Sequence, residues 1–159
     1  MKRIQDIYTH PLFIKHMRQN ATTEAGRAFC KHDLSHALDV ARISYIQNLE
    51  ADLGFSKEMI YAAALLHDIT KWKQHLEGVP HNESAIEPAT HILQDCGFSE
   101  TEITAICEAI LHHRDSVSDE RSFPALLYRG DKLSRPCYAC PVSADCKWDE
   151  DKQNQTILH

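Results

Sequence analysis

Apolar residues recur through most of this chain at intervals of three, four and seven residues, the spacing that lines one face of an α-helix. The strict alternation typical of β-strands is nearly absent. The chain has 159 residues, 43% of them hydrophobic, which is enough for one domain with its own core. We therefore predict a single all-α bundle, residues 1–159, with the core at about 30–136 and a short irregular tail at 137–159.

Helix-start and helix-stop residues set the expected boundaries, because short polar side chains cap helix starts and glycine or proline ends them. The predicted helices are residues 4–19, bent at Pro11; 33–50, capped by Asp33; 57–71, capped by Ser56; 84–96, ended by Gly97; 99–113, opened by a Ser99–Glu102 capping box; and 122–136, with Pro124 in the first turn. Turns or loops are expected at 22–31, 74–83 and 114–121.

Three of these helices carry histidine and aspartate side chains that suit a shared site. His36 lies near the start of the second helix, the pair His67–Asp68 follows an apolar run, and Asp131 lies in the last helix. Neutral imidazoles and carboxylates are ligands for divalent metals such as Fe, Mn and Zn. Such a metal neutralises phosphate charge and lowers the pKa of bound water. The pattern predicts a hydrolytic metal centre, although structural histidines and a helix-capping aspartate would fit the same residues.

The order His36, His67–Asp68, Asp131 over residues 30–136 resembles the HD-domain metal-dependent phosphohydrolase superfamily. The resemblance implies an HD-domain helical bundle that acts as a metal-dependent phosphohydrolase. A closer likeness is to the bacterial HD-domain hydrolases of symmetrical dinucleoside tetraphosphates. Three features carry this likeness. Lys71 lies three residues after Asp68, His81 precedes Asn-Glu-Ser-Ala, and the pair His112–His113 follows Ala-Ile-Leu.

This closer likeness implies two metals, usually iron, that share the dyad aspartate. The ligands of metal one would be His36, His67, Asp68 and Asp131, and those of metal two would be Asp68, His81 and His113. His112 is a possible substitute for His113. Asp68 and Lys71 would be catalytic, because Asp68 orients or bridges the nucleophile and Lys71 offsets charge on the phosphoryl group. Lys71 would equally fit a solvated lysine at a helix end. The implied substrate is a small phosphate compound, above all a nucleotide.

The tail carries a second motif, Cys137-x2-Cys140-x5-Cys146. Three cysteines within ten residues of a cytosolic chain favour a metal site over disulfides. The spacing, together with Trp148 just after the last cysteine, resembles the [4Fe–4S] loop of endonuclease III-type DNA glycosylases. That likeness implies an iron–sulfur cluster and does not bear on the fold. Structural zinc and unliganded thiols fit the same motif.

A fourth ligand for this motif must come from elsewhere in the chain, and Cys30 is the candidate. Cys30 lies six residues before His36, and Cys137 lies six residues after Asp131. If the two helices run antiparallel, both cysteines leave the shared centre on the same side, each about 9 Å along the axis. The two remaining cysteines, Cys96 and Cys107, fall on apolar helix faces and are interpreted as small core residues. Six other histidines have no informative spacing and are interpreted as ordinary: His10, His16, His32, His75, His91 and His159.

Charge and hydropathy restrict the partners and leave several functions open. A net charge of −6 makes nucleic acid and anionic membranes unexpected partners. No apolar stretch approaches the ~20 residues that span a bilayer, and without a signal peptide we expect a cytoplasmic location. The oligomeric state is open. The alternatives to hydrolysis are a di-iron HD-domain oxygenase and a redox-responsive nucleotide-binding sensor, while DNA repair would rest on the cysteine loop alone.

Overall fold

The computed structural model describes residues 1–115 and 118–159, so Ser116 and Val117 of the expected 114–121 loop lie outside the described residues. Within those ranges the chain is helical and contains no β-strand, which confirms the predicted all-α fold. The helices are α1 (Lys2–Thr9), α2 (Pro11–Thr23), α3 (Leu34–Glu50), α4 (Lys57–Leu66), α5 (Lys71–Glu77), α6 (His81–Ser84), α7 (Ile86–Asp95), α8 (Glu100–His112) and α9 (Phe123–Leu133). Three short 3₁₀ turns follow α9 in the tail, at Cys137–Ala139, Ser143–Asp145 and Glu150–Lys152.

Side-chain caps start four of the helices at the predicted places. A side-chain oxygen of each cap accepts a hydrogen bond from a backbone N–H in the first turn, which satisfies a donor that the helix itself leaves free. These caps are Asp33, Ser56, Ser99 and Ser122. Ser99 also forms the expected capping box with Glu102. The predicted start of α3 places His36 in the first turn of that helix.

Two predicted helices are interrupted in the structure. The expected helix 4–19 is divided at His10, whose backbone is extended (φ −66°, ψ 133°), because a proline disfavours helical conformation in the residue before it. The expected helix 57–71 ends at Leu66, and residues 67–70 form a turn before α5. The expected loop 74–83 is partly helical, because α5 continues to Glu77 and α6 begins at His81.

Helix α4 lies at the centre of the bundle because it is apolar on nearly every side. It packs against α1, α3, α8 and α9. Its side chains from Ala62 to Leu66 are buried, and they meet Val40 of α3, Ile106 of α8 and Leu126 of α9 in one hydrophobic core. Burying each of the larger side chains, such as Val40, Ile106 and Leu126, contributes about 1.5–3 kcal/mol. The carboxyl end of α4, where His67 follows, therefore lies inside the protein.

Helices α3 and α9 run antiparallel in close contact. His36, in the first turn of α3, lies beside Ser134, just after the end of α9, with 3.2 Å between His36 Nδ1 and Ser134 Oγ. Further along α3, Ser44 lies against Gly130. From the first contact to the second, the residue number rises along α3 and falls along α9, so the two helices run in opposite directions. No helix in the described ranges is long and apolar enough to cross a lipid bilayer.

Candidate metal centre

The turn after α4 allows two consecutive residues to reach one point. Adjacent side chains on an intact helix point about 100° apart. Beyond Leu66 the backbone hydrogen bonds span three residues and no longer four. One of them runs from Lys71 N–H to the Asp68 carbonyl, at 3.0 Å. Asn20 of α2, only 1% exposed, fixes this turn by donating to the Asp68 carbonyl (2.9 Å) and accepting from Trp72 N–H (2.9 Å). His67 and Asp68 therefore face the same interior space.

Four of the predicted ligands form one group around this space. His36 Nε2 lies 3.6 Å from Asp68 Oδ2 and 3.4 Å from Asp131 Oδ1. His67 Nε2 lies 3.1 Å from Asp68 Oδ2 and 3.9 Å from Asp131 Oδ1. One potential ligand atom from each residue lies within 4.8 Å of all the others. Two imidazoles and two carboxylates so arranged can hold one divalent metal.

A second group shares the dyad aspartate through its other oxygen. His81 Nε2 lies 2.9 Å from Asp68 Oδ1, and His113 Nε2 lies 3.9 Å from the same atom. The two imidazole Nε2 atoms are 3.0 Å apart. All three side chains are buried. Because Asp68 Oδ2 faces the first group and Oδ1 the second, the arrangement has the form of a two-metal site with a bridging carboxylate.

The far nitrogen of each imidazole is held by a neighbouring group. His67 Nδ1 lies 2.7 Å from the Ala64 carbonyl, and His113 Nδ1 lies 2.6 Å from the Ile110 carbonyl. His81 Nδ1 contacts Gln74 Oε1 at 2.5 Å, and His36 Nδ1 contacts Ser134 Oγ. A carbonyl oxygen at Nδ1 requires that nitrogen to donate, so the lone pair is on Nε2. The Nε2 lone pairs of His67, His81 and His113 are therefore directed at the centre, as metal ligands require.

Several polar atoms in this centre have no hydrogen-bond partner among the described residues. These buried atoms are His36 Nε2, His67 Nε2 and Asp68 Oδ1. Leaving such groups unsatisfied costs about 1–3 kcal/mol each, and more for a charged group. A divalent cation between the side chains would satisfy all three atoms, so this donor set fits a bound metal.

The electrostatics of the centre give most of these side chains the protonation state that a metal needs. Burial opposes ionisation of both carboxyl groups. The pKa of Asp68 is nevertheless held well below its ordinary value, mainly by His67. The pKa of Asp131 is held well below its ordinary value mainly by the hydrogen bond with His36. Burial lowers the pKa of His113 to about 3, so its imidazole is neutral. For His36, the two carboxylates outweigh burial and raise the pKa to about 9. Metal binding at neutral pH must therefore displace a proton from His36.

The two other candidates from the sequence lie in different surroundings. Lys71 is at the edge of the centre, with Nζ 3.9 Å from Asp68 Oδ1 and 3.3 Å from His81 Nδ1. Burial lowers the pKa of Lys71. His112 is not brought to either group, because one residue along α8 rotates its side chain away from the direction of His113. It faces Asp115 at the surface instead, with 3.1 Å between Nδ1 and Oδ2.

A third cluster, beside the centre, was not predicted from the sequence. Glu24, which follows directly after α2, is buried, and its Oε1 lies 2.6 Å from His32 Nδ1 and 3.0 Å from His75 Nε2. Its Oε2 accepts a hydrogen bond from His32 N–H at 2.8 Å. Burial opposes this charge, but the hydrogen bonds from His32 and His75 lower the pKa of Glu24 to about 2. On its other side, His32 places Nε2 3.9 Å from Asp68 Oδ2. In the sequence, the only indication that His32 lies beside the centre is its position four residues before His36.

The four cysteines of the expected second site are free thiols. Because α3 and α9 are antiparallel, Cys30 and the segment from Cys137 leave the centre in the same direction, as the sequence reasoning required. Desolvation, followed by the thiols of Cys137 and Cys140, raises the pKa of Cys30, although this residue is exposed. No three cysteine sulfurs in the described part of the chain lie within 4.8 Å of one another.

The chain is similar to known proteins along its whole length. The HD domain family matches residues 33–143, which contain the first group of ligands in full and both histidines of the second. A protein of Clostridium beijerinckii described as "Uncharacterized protein" is 43% identical over 159 residues, covering 100% of both chains. No solved structure matches the sequence.

Proposed function

The chain belongs to the HD-domain family, whose members are generally metal-dependent hydrolases, and we propose from this that it hydrolyses a phosphate ester or anhydride at its His/Asp centre. The observation that carries the proposal is the set of buried, partnerless ligand atoms at His36, His67 and Asp68, which a divalent metal would satisfy. Several metals suit such ligands, with iron and manganese as the first candidates.

We assign the metal ligands by the two groups around Asp68. The first metal would be held by His36, His67, Asp68 and Asp131, and the second by Asp68, His81 and His113. When bound, the metals would neutralise phosphate charge and lower the pKa of the attacking water. The protein's own contribution is to keep the carboxylates ionised, to direct each Nε2 inward and to fix Asp68 between the two groups.

Lys71 is proposed as the residue that offsets charge on the transferring phosphoryl group. Its ammonium group is close to Asp68 and His81 at the rim of the centre, where it can meet a phosphate oxygen. Lysine binds phosphate as a compact point charge. Partial burial strengthens that attraction because less water screens it.

A nucleotide is the proposed substrate, on the likeness to the hydrolases of symmetrical dinucleoside tetraphosphates. That likeness rests on Lys71, His81 and His113, and these three side chains do surround Asp68. We also propose that the protein is located in the cytoplasm.

The cysteines are proposed to hold an iron–sulfur cluster, with Cys30, Cys137, Cys140 and Cys146 as ligands. The resemblance of the Cys-x2-Cys-x5-Cys spacing to a [4Fe–4S] loop supports a cluster over zinc at these cysteines. The antiparallel arrangement of α3 and α9 supports Cys30 as the fourth ligand.

The first experiment is turnover by anaerobically purified protein loaded with Fe²⁺ or Mn²⁺. Phosphate release from nucleoside phosphates and dinucleoside tetraphosphates is measured together with dioxygen consumption, with Asp68→Asn as the inactive control. We expect metal-dependent phosphate release that a chelator abolishes. Dioxygen consumption without phosphate release would contradict hydrolysis and support the oxygenase. Nucleotide binding without any turnover would support the sensor.

A further inference from the structure

A cavity of about 650 Å³ lies between α1, α2 and the segment that enters α3. Cavities of 300–1,000 Å³ are the usual size for sites that bind small organic molecules. Apolar side chains form most of its wall: Tyr8, Phe13, Ile14, Met17, Ala21 and Leu34. Two of these, Tyr8 and Phe13, are aromatic, with ring centroids 6.4 Å apart. The wall therefore offers a surface on which a flat or apolar group can pack.

Several polar side chains of the cavity wall are already occupied by internal hydrogen bonds. Thr9 Oγ1 donates to the Gln5 carbonyl at 3.0 Å. Asp33 caps α3, and both oxygens of Glu24 accept hydrogen bonds from His32. These groups have little remaining capacity to recognise a ligand by its own donors and acceptors. An occupant would be bound mainly by packing contacts.

Two cationic side chains, Arg18 and Lys31, also line the cavity. Neither forms an ion pair within residues 1–115 and 118–159. Positive charge at the edge of an apolar wall favours a ligand that combines an apolar group with negative charge. The wall also carries two carboxylates, Glu24 and Asp33, so its formal charge is balanced, whereas the chain as a whole has a net charge of −6. Both carboxylates accept internal hydrogen bonds, while the two cations form no ion pair among the described residues.

His32 connects the cavity to the metal centre. Its imidazole is part of the cavity wall, and its Nε2 lies 3.9 Å from Asp68 Oδ2. The Glu24 carboxylate holds the opposite edge of the ring through Nδ1, so the ring cannot turn without losing that hydrogen bond. The cavity and the centre thus share one rigid side chain.

We propose that this cavity binds the aromatic group of the substrate while the phosphate lies at the metal centre, with His32 between them. This inference rests on the proposed function and specifies it: a nucleobase is held by stacking and apolar contact near Arg18 and Lys31. The wall is mainly apolar, and Arg18 and Lys31 can donate to acceptor atoms that every base carries, so recognition does not depend on one pattern of donors and acceptors on the base. Purine and pyrimidine nucleotides should therefore have kcat/KM values within about tenfold of one another.

Binding can be tested without turnover, using the fluorescent aromatic anion 8-anilinonaphthalene-1-sulfonate and the full-length protein. Ile14→Trp places a larger side chain in the cavity and should weaken probe binding by at least about tenfold. Ile46→Trp is the matched control, because Ile46 is equally exposed at 37% and lies outside this cavity. Unchanged probe affinity in Ile14→Trp would overturn the proposal.

The charge on the wall is tested separately with Arg18→Gln, against Lys15→Gln on the same helix. Both residues are exposed, so neither change should unfold α2. Only Arg18→Gln should weaken probe binding, by about threefold to tenfold. Adenosine and uridine monophosphates should both displace the probe from the wild-type protein. Failure of both nucleotides to compete would contradict a nucleobase site.

Turnover distinguishes failure of this inference from failure of the proposed function. Ile14→Trp should raise KM for nucleotides while leaving the hydrolysis of acetyl phosphate, which has no aromatic group, within about twofold of wild type. An equal loss on both substrates would overturn the cavity assignment. Absence of hydrolysis by the wild-type protein would instead contradict the phosphohydrolase function, and the probe titration would still decide whether the cavity binds an aromatic anion.

Discussion

At the residue scale, Asp68 is the one side chain that belongs to both ligand groups. Its Oδ2 faces His36 and His67, while its Oδ1 faces His81 and His113. A carboxylate in that position would link the occupancy of the two proposed metals. Loss of Asp68 and loss of a histidine from a single group should therefore have different consequences.

We predict that Asp68→Asn depletes both metals, whereas His113→Gln depletes only one. The second change removes a ligand from the Asp68–His81–His113 group and should lower the affinity of that group for its metal by at least about 100-fold. Manganese content per chain, measured by mass spectrometry after loading with Mn²⁺ and dialysis so that cluster iron is not counted, would fall from two to near zero in the first variant and to one in the second. The neighbouring substitution His112→Gln is the control, because His112 faces the surface. Equal stoichiometry in His112→Gln and His113→Gln would contradict the assignment.

The sequence predicts which histidines and aspartates to consider but not what holds them. His36, His67 and Asp131 could be singled out by residue type and order along the chain. The groups that orient them could not, because Ser134 and Gln74 are ordinary polar residues until the fold places them beside an imidazole. His32 was missed for a related reason, since its importance depends on the distant Glu24.

At the element scale, Gly130 controls the approach of α9 to α3. A Cβ on this residue would overlap Ser44 Oγ and lie 3.2 Å from the Val40 carbonyl oxygen. Glycine is needed here for close packing of the two helices. Asp131 is the next residue, so the same contact determines how far this carboxylate reaches into the centre.

Gly130→Ala should therefore lower both stability and metal occupancy. Overpacking of this kind costs about 1–3 kcal/mol in the free energy of unfolding. Adding Ser44→Ala removes the nearest atom and should recover part of the loss, and Ser44→Ala alone should cost little because its buried hydroxyl has no hydrogen-bond partner among the described residues. Urea denaturation and metal analysis of the three variants test this. Wild-type stability in Gly130→Ala would show that α9 can shift freely.

One arginine of helix α1 forms ion pairs with two other helices, in addition to the burial of Ile4 and Ile7 in the core. Arg3 Nε donates to Glu58 of α4 at 2.7 Å, and its two terminal nitrogens donate to Glu102 of α8 at 3.0 and 3.1 Å. The guanidinium also lies over the ring of Phe98, 4.0 Å from its centroid. These hydrogen bonds lower the pKa of Glu102 from its ordinary 4.5 to about 2.

A lowered carboxyl pKa gives stability that is present above pH 4.5 and lost as the pH falls toward 2. Glu102→Gln should consequently destabilise the protein by about 1–2 kcal/mol at pH 7, with solvent screening of this partly exposed pair included. The difference from wild type should disappear near pH 2. Denaturation curves between pH 7 and pH 2 measure it, with Glu100→Gln in the same turn as the control. A difference that did not change with pH would exclude the ion pair as its cause.

Helix boundaries show where sequence reasoning about elements succeeds. Caps such as Ser56 and Ser99 act locally, through a hydrogen bond three residues along the chain, so they could be identified from sequence. The end of α4 at Leu66 could not, because the turn that follows is held by Asn20 from another helix. That tertiary contact overrides the helical periodicity that continues to Lys71.

At the scale of the whole molecule, the antiparallel pair α3 and α9 connects the two ends of the core. The start of α3 and the end of α9 lie side by side at His36 and Ser134. Each chain segment beyond that point carries a cysteine six residues from a metal ligand. Asn154 reinforces the arrangement, because its amide donates to the carbonyls of Lys132, at 2.9 Å, and Arg135, at 2.8 Å. The tail is thereby folded back onto the end of α9.

If Cys30 and the tail cysteines share a cluster, the cluster joins the segment before α3 to the segment after α9. We predict that Cys30→Ser loses iron and acid-labile sulfide to the same extent as Cys140→Ser. Both variants should unfold about 5–10 °C below the wild type, since a group that binds only the folded chain stabilises it. Cys107→Ser is the control, because its thiol lies beside Thr90 Oγ1 at 3.5 Å, within the bundle. A full cluster in Cys30→Ser would exclude Cys30 as the fourth ligand, and zinc without sulfide in the wild type would make the site a structural clip.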